Sequence, residues 1–95
     1  MRITRFEWDF RNTGHIEKKH GVRPEEVESV LRSSPLLRRT KKGRMIALGR
    51  TNTGRYLFVV FMVKPGGVAR VITARDMTAA EKRYYRREKR GGGEW

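Results

Sequence analysis

Between Arg55 and Lys64 the chain carries an unbroken apolar run, Tyr56 to Val63 (Tyr-Leu-Phe-Val-Val-Phe-Met-Val). The run is too short for a typical buried helix, and it is rich in aromatic and β-branched residues. Those properties suit a strand covered on both faces, hence the middle of a sheet. Thr51-Asn52-Thr53-Gly54 precedes it and Pro65-Gly66-Gly67 follows. Both are turn chemistry, so Met45 to Thr51 and Val68 to Arg75 are expected to pair with it as hairpins.

The remaining segments fall around this ribbon. Residues 2–8 read as a short first strand, with Phe6 and Trp8 facing the helices. Asp9 stands where a helix N-cap is wanted, and Gly21 closes the weakly apolar segment 10–20. Pro24-Glu25-Glu26 opens a second helix, with proline at the first position and carboxylates over the positive end of the dipole. Val27, Val30 and Leu31 form its buried stripe, and Ser33-Ser34-Pro35 ends it. Leu36-Leu37 begins an edge strand that runs into the basic loop Arg38 to Arg44. Thr78-Ala79-Ala80-Glu81 is a capping box for the last helix. The order is β-α-α-β-β-β-α: an α+β domain with an antiparallel sheet of four to five strands and helices on one face. Residues 1–90 make the single domain, and 91–95 (Gly-Gly-Gly-Glu-Trp) a flexible tail.

Lys and Arg number 23 against 10 Asp and Glu, a formal charge of +13 in 95 residues. A field so one-sided favours polyanions, nucleic acid first. Thermophilic surfaces, by contrast, balance acids against bases. No cysteine is present, so disulfides and thiolate metal sites are excluded. No apolar run approaches the ~18 residues of a membrane span, and no secretory leader is visible; the expectation is a cytoplasmic protein without a membrane partner.

Hairpin pairing places the arginines. With Asn52-Thr53 as the centre of the first turn, Arg50 lies opposite Arg55, a like-charge pair that costs roughly 0.2–1 kcal/mol. With Pro65 to Gly67 as a three-residue loop, Lys64 faces Val68 and Arg75 faces Leu57. Arg50, Arg55 and Arg75 then converge at one end of one face, as a seat for phosphate. Arg70 falls on the other side or at a rim. His15 and His20, five apart, do not share a helical face well and form a poor metal pair; no metal or cofactor is expected. Tyr56 and Tyr84 are expected in the core, and Tyr85 is the freer phenol, able to stack a base or transfer a proton.

Several of these pieces, in this order, resemble the BrnT-type toxins. They are Phe6-Glu7-Trp8-Asp9, Lys19-His20-Gly21-Val22 leading to Glu25-Glu26, Gly49-Arg50, Arg70-Val71-Ile72-Thr73-Ala74-Arg75, and Thr78-x-x-Glu81-Lys82 with Tyr85. The resemblance spans about residues 3–88. It implies a RelE-like fold and a metal-independent endoribonuclease that is the toxin of a type II toxin–antitoxin pair. It also implies neutralisation by a small ribbon-helix-helix antitoxin. Separately, a homodimer or a hetero-oligomer with the antitoxin is the expected assembly. Carried over by position, the catalytic candidates are His20, Arg50, Arg75 and Tyr85. The residues expected to bind RNA are Arg55, His15, Arg38, Arg39, Lys41, Lys42, Arg44 and Arg83. One departure stands out: many members have a lysine three residues after the Asp and an asparagine four further on, where this chain has Asn12 and Ile16. The alternatives are a non-catalytic module binding RNA or ribosomes, and a basic interaction protein docking an acidic partner.

Overall fold

The computed structural model describes residues 2–92. The elements are β1 (Arg5–Glu7), α1 (Phe10–His20), α2 (Pro24–Arg32), β2 (Leu36–Arg39), β3 (Met45–Arg50), β4 (Tyr56–Lys64), β5 (Val68–Asp76) and α3 (Ala79–Gly92). A 3-10 turn, Lys41–Gly43, joins β2 to β3. The strands form one sheet in the order β1-β5-β4-β3-β2, with the long apolar strand at its centre. Of the tail expected to be flexible, Gly91 and Gly92 continue α3, and 93–95 lie outside the described residues.

Local signals act where the residues that carry them stand. Asp9 Oδ1 accepts from the amides of Arg11 and Asn12, and Asn12 Oδ1 accepts from the Asp9 amide at 2.8 Å, closing a reciprocal cap on α1. Gly21 ends α1 in the left-handed region (φ 61°), its amide bonded to the Glu17 carbonyl. Pro24 opens α2, and Glu26 reaches back to the Arg23 amide at 3.0 Å.

α1 and α2 bury one face of the sheet. Ile16, Val22, Val27, Val30 and Leu31 pack on Ala47 of β3, Leu57, Val59 and Phe61 of β4, and Ala69, Val71 and Ala74 of β5. Gly49 lets α2 approach β3 closely: a Cβ there would lie 2.9 Å from Val30 Cγ1. The alternate residues of β4, namely Tyr56, Phe58, Val60 and Met62, form the other face and are only half-buried.

Two features differ from expectation within the same α+β class. β1 joins β5 in parallel, and between these two strands the chain runs through α1, α2 and the strands β2, β3 and β4. And α3 lies on the face opposite α1 and α2, where its Tyr85 meets Tyr56 and its Tyr84 meets Arg38 of β2. A helix so charged has only a narrow aromatic stripe to bury, and the half-open face suffices for it.

Candidate active site

The register of the two hairpins decides which arginines meet. Thr51 to Arg55 form the first loop, closed by Thr51 N–H to the Arg55 carbonyl at 2.8 Å, so Arg50 pairs with Tyr56 rather than with Arg55. In the second hairpin Lys64 pairs with Val68 as expected. A bulge then intervenes: Val60 pairs with Thr73 but Phe61 with Val71, leaving Ile72 as the extra residue. Past it Arg75 faces Phe58, not Leu57. Because paired residues share a face, and alternate residues of a strand do too, Arg50, Tyr56, Phe58 and Arg75 all stand on the open side. The Arg50 guanidinium lies 4.8 Å from the Tyr56 ring centroid, and that of Arg75 lies 4.0 Å from the Phe58 ring.

Arg55 does not join them. The same one-residue change in register turns it to the helical side, with 27 % of its side chain exposed. Its Nε and Nη2 donate to Asp76 at 2.7 and 3.1 Å, its Nη1 to Glu26 Oε1 at 3.1 Å, and it also reaches the carbonyls of His20 and Gly21. With every donor direction taken, Arg55 is a tie between β4, β5 and the ends of α1 and α2. The expected convergence of three arginines is therefore not found: Arg50 and Arg75 share the open face, and Arg55 does not.

Glu81 is the residue that sequence reasoning placed only in a cap. The capping box is formed, with Thr78 N–H to Glu81 Oε1 at 2.8 Å and Glu81 N–H to Thr78 Oγ1 at 3.1 Å. The same carboxylate receives both Nη atoms of Arg75, at 2.9 and 3.0 Å. That fork-to-fork bond holds the Glu81 carboxyl below, and the Arg75 guanidinium above, their ordinary values. Both guanidinium Nη atoms of Arg75 are thus engaged by one carboxylate.

The tyrosines exchange their expected roles. Tyr56 is not core: Arg50, Arg86 and Lys82 surround its ring at 4.8, 5.2 and 5.6 Å, and Arg86 Nη2 donates to its hydroxyl at 3.5 Å. Tyr85 is the more sheltered, and burial pushes its phenol up. It meets Tyr56 edge-on, centroids 5.9 Å apart. Tyr84 is half-buried under Arg38 and Arg87 rather than in the core. The pairing of Arg50 with Tyr56 was the signal that would have revealed this, and it depends on the loop length.

The histidines lie at the β5 edge of the open face. His15 Nε2 is 3.0 Å from the hydroxyl of Thr73, two residues before Arg75. The His20 ring meets His15 edge-on at 5.4 Å, closer than a five-residue spacing suggests, because His20 is the last residue of α1. No group of three or more metal-ligating side chains occurs among the described residues. At the two departures from the family pattern, Asn12 donates to the carbonyls of Glu7 and Val71 as well as capping α1, and Ile16 is fully buried. Both positions serve the fold.

The outer basic residues divide similarly. Arg38 is engaged by the Tyr84 hydroxyl at 2.7 Å and by Glu88 at 3.1 Å. Arg39, Lys41, Lys42, Arg44 and Arg83 are exposed. Arg70 is tied to Glu7 and Asp9, and its hydrogen bond holds the Asp9 carboxyl down to about 2.

The chain is an α+β domain whose open sheet face carries Arg50 and Arg75 over aromatic residues, with histidines and phenols beside them. A model of the family described as "Ribonuclease toxin, BrnT, of type II toxin-antitoxin system" matches residues 8–81, most of the chain. The chain belongs to that family, and membership makes it a ribonuclease toxin with an RNA substrate and an antitoxin partner. Its structure is similar to the crystal structure of the Brucella abortus ribonuclease toxin BrnT. The TM-score is 0.67 at 25% identity, over 78% of this chain and 96% of that one. No curated protein sequence matches it significantly. No helix among the described residues is long and apolar enough to cross a membrane.

Proposed function

We propose that this toxin cleaves RNA without a metal, on the open face of the sheet, in the cytoplasm. The observation that carries the reading is that Arg50 and Arg75 share that face, each laid over a neighbouring aromatic of β4. In such a cleavage the RNA 2′-oxygen attacks the adjacent phosphorus. The reaction needs a base for that hydroxyl, donors for the charge that grows on the phosphorane, and an acid for the departing 5′-oxygen.

Arg50 and Arg75 supply the donors. Arg75 must first exchange the Glu81 carboxylate for the phosphate, a like-for-like replacement of one oxyanion by another. His20, the last residue of α1 and edge-on to His15, is the base. Tyr85 buttresses the aromatic platform instead of acting as the freely placed phenol. Arg39, Lys41, Lys42, Arg44 and Arg83 follow the backbone on either side, a contribution that weakens with salt. A small ribbon-helix-helix antitoxin, assembling with the toxin in a hetero-oligomer, neutralises it.

The test is incubation of the purified toxin with mixed RNA in EDTA, beside its Arg75→Ala variant. Fragments that form in EDTA and disappear with the variant support the reading. Fragments that require a divalent ion, or that persist in the variant, overturn it.

A further inference from the structure

Three tyrosines meet the basic face, and their surroundings differ in kind. Tyr84 lies under Arg38, whose guanidinium also bonds Glu88, so a carboxylate balances the cation there. Tyr85 is sheltered, with its phenol pushed up by burial. Tyr56 stands among Arg50 of β3 and Lys82 and Arg86 of α3. Among the described residues none of these three cations lies within ion-pair distance of a carboxylate.

Such surroundings stabilise a phenolate. The hydrogen bond from Arg86, and then the charges of Arg50, Arg86 and Lys82, hold the Tyr56 phenol below its ordinary value despite partial burial. The edge-on ring of Tyr85 restricts how Tyr56 can turn. Its position also suits the chemistry. It lies between its strand partner Arg50 and Phe58, the ring under Arg75, so it flanks the space between the two phosphate donors. Asp76 feels the charges of both Lys82 and His20, which brings the Tyr56 cluster and the α1 terminus to the same end of the sheet.

We propose that Tyr56 is the general acid of the RNA cleavage, giving its hydroxyl proton to the departing 5′-oxygen. The inference rests on the metal-free reading above. As the 2′-oxygen forms its bond to phosphorus, it loses its proton to His20. The bond from phosphorus to the 5′-oxygen breaks with its electron pair on that oxygen, and the Tyr56 proton moves there. The products are a 2′,3′-cyclic phosphate and a free 5′-hydroxyl. The phenolate left on Tyr56 is held by its three cations until water reprotonates it. The cations around the Tyr56 ring favour the phenolate that forms when the proton is given up, which is what a general acid at this position requires.

A competing role for Tyr56 is that of a pillar on which the cations rest, and Tyr56→Phe separates the two because it keeps the ring and removes only the proton. Single-turnover cleavage of a short RNA in EDTA is measured for both proteins, from about pH 6 to about pH 10, the ordinary phenol value, with RNA affinity measured alongside. The expected result is a loss of roughly a hundredfold or more in rate for Tyr56→Phe, unchanged affinity, and loss of the alkaline limb of the wild-type profile. A second substrate with sulfur in place of the bridging 5′-oxygen leaves without a proton, and on it the variant is expected to match wild type. A variant as active as wild type on the ordinary RNA, or one equally impaired on the sulfur substrate, overturns the assignment. Failure of the wild type itself to cleave in EDTA, with its fold intact by circular dichroism, overturns instead the metal-free reading on which it stands.

Discussion

Arg75 and Glu81 face each other fork to fork, with both guanidinium Nη atoms 2.9–3.0 Å from the carboxylate oxygens. The same carboxylate caps α3 through the Thr78 amide. One acidic side chain thus starts a helix and holds the guanidinium of Arg75.

Glu81→Gln tests the second role without disturbing the first, since glutamine also completes a capping box. The variant is expected to bind RNA more tightly at low salt. Its binding should also fall more steeply with salt, the slope rising by about one unit for the phosphate contact released. Fluorescence anisotropy over a salt series measures both. An unchanged slope would mean that Arg75 does not reach the RNA.

Arg55 and Arg50 are expected to fail in opposite ways. Arg55→Ala removes a tie that joins Asp76, Glu26 and two helix-end carbonyls, so it should cost about 1–3 kcal/mol of stability in urea unfolding. Arg50→Ala, at an exposed position, should leave stability within about 0.5 kcal/mol while lowering cleavage. A destabilised Arg50 variant, or a stable Arg55 variant with weakened RNA binding, contradicts the placement of the two side chains.

Acid should loosen the β1 edge. Asp9 is held down to about 2, chiefly by the Arg70 hydrogen bond and then by the amide of Asn12. Because the folded value lies below the ordinary 3.8, the stabilisation is fully present above the ordinary value. It is lost as pH falls from there through about 2. Glu7, Asp76 and Glu81 are lowered too and act in the same sense. In Arg70→Ala the acid dependence of the urea midpoint should become shallower, and equal slopes for variant and wild type would refute the coupling.

Gly49→Ala should destabilise the packing of α2 on β3. The added methyl would meet Val30 Cγ1 at 2.9 Å and Pro35 Cβ at 3.4 Å, an overpacking expected to cost about 1–3 kcal/mol. Thermal unfolding followed by circular dichroism measures it; a melting temperature equal to wild type would show that α2 shifts freely.

The local grammar of the chain was legible before any fold was known. The apolar run Tyr56 to Val63, the caps at Asp9, Gly21 and Thr78, and the proline opening α2 each act through neighbours a few residues away, so composition and spacing suffice to place them. The charge that points to a polyanion is likewise additive and needs no fold. Which face each arginine takes is different in kind. It turns on one extra residue in the first loop and on Ile72 in the bulge of β5, and a strand reverses its sides with every residue. Those two shifts sent Arg55 to the helices, left Arg50 and Arg75 together, and brought Tyr56 out of the core. Glu81 and Arg75 found each other only because α3 folds back over the open face. Residue type and order determined the elements and the class of partner; the arrangement of the site was decided by backbone register and helix docking, which no short-range preference encodes.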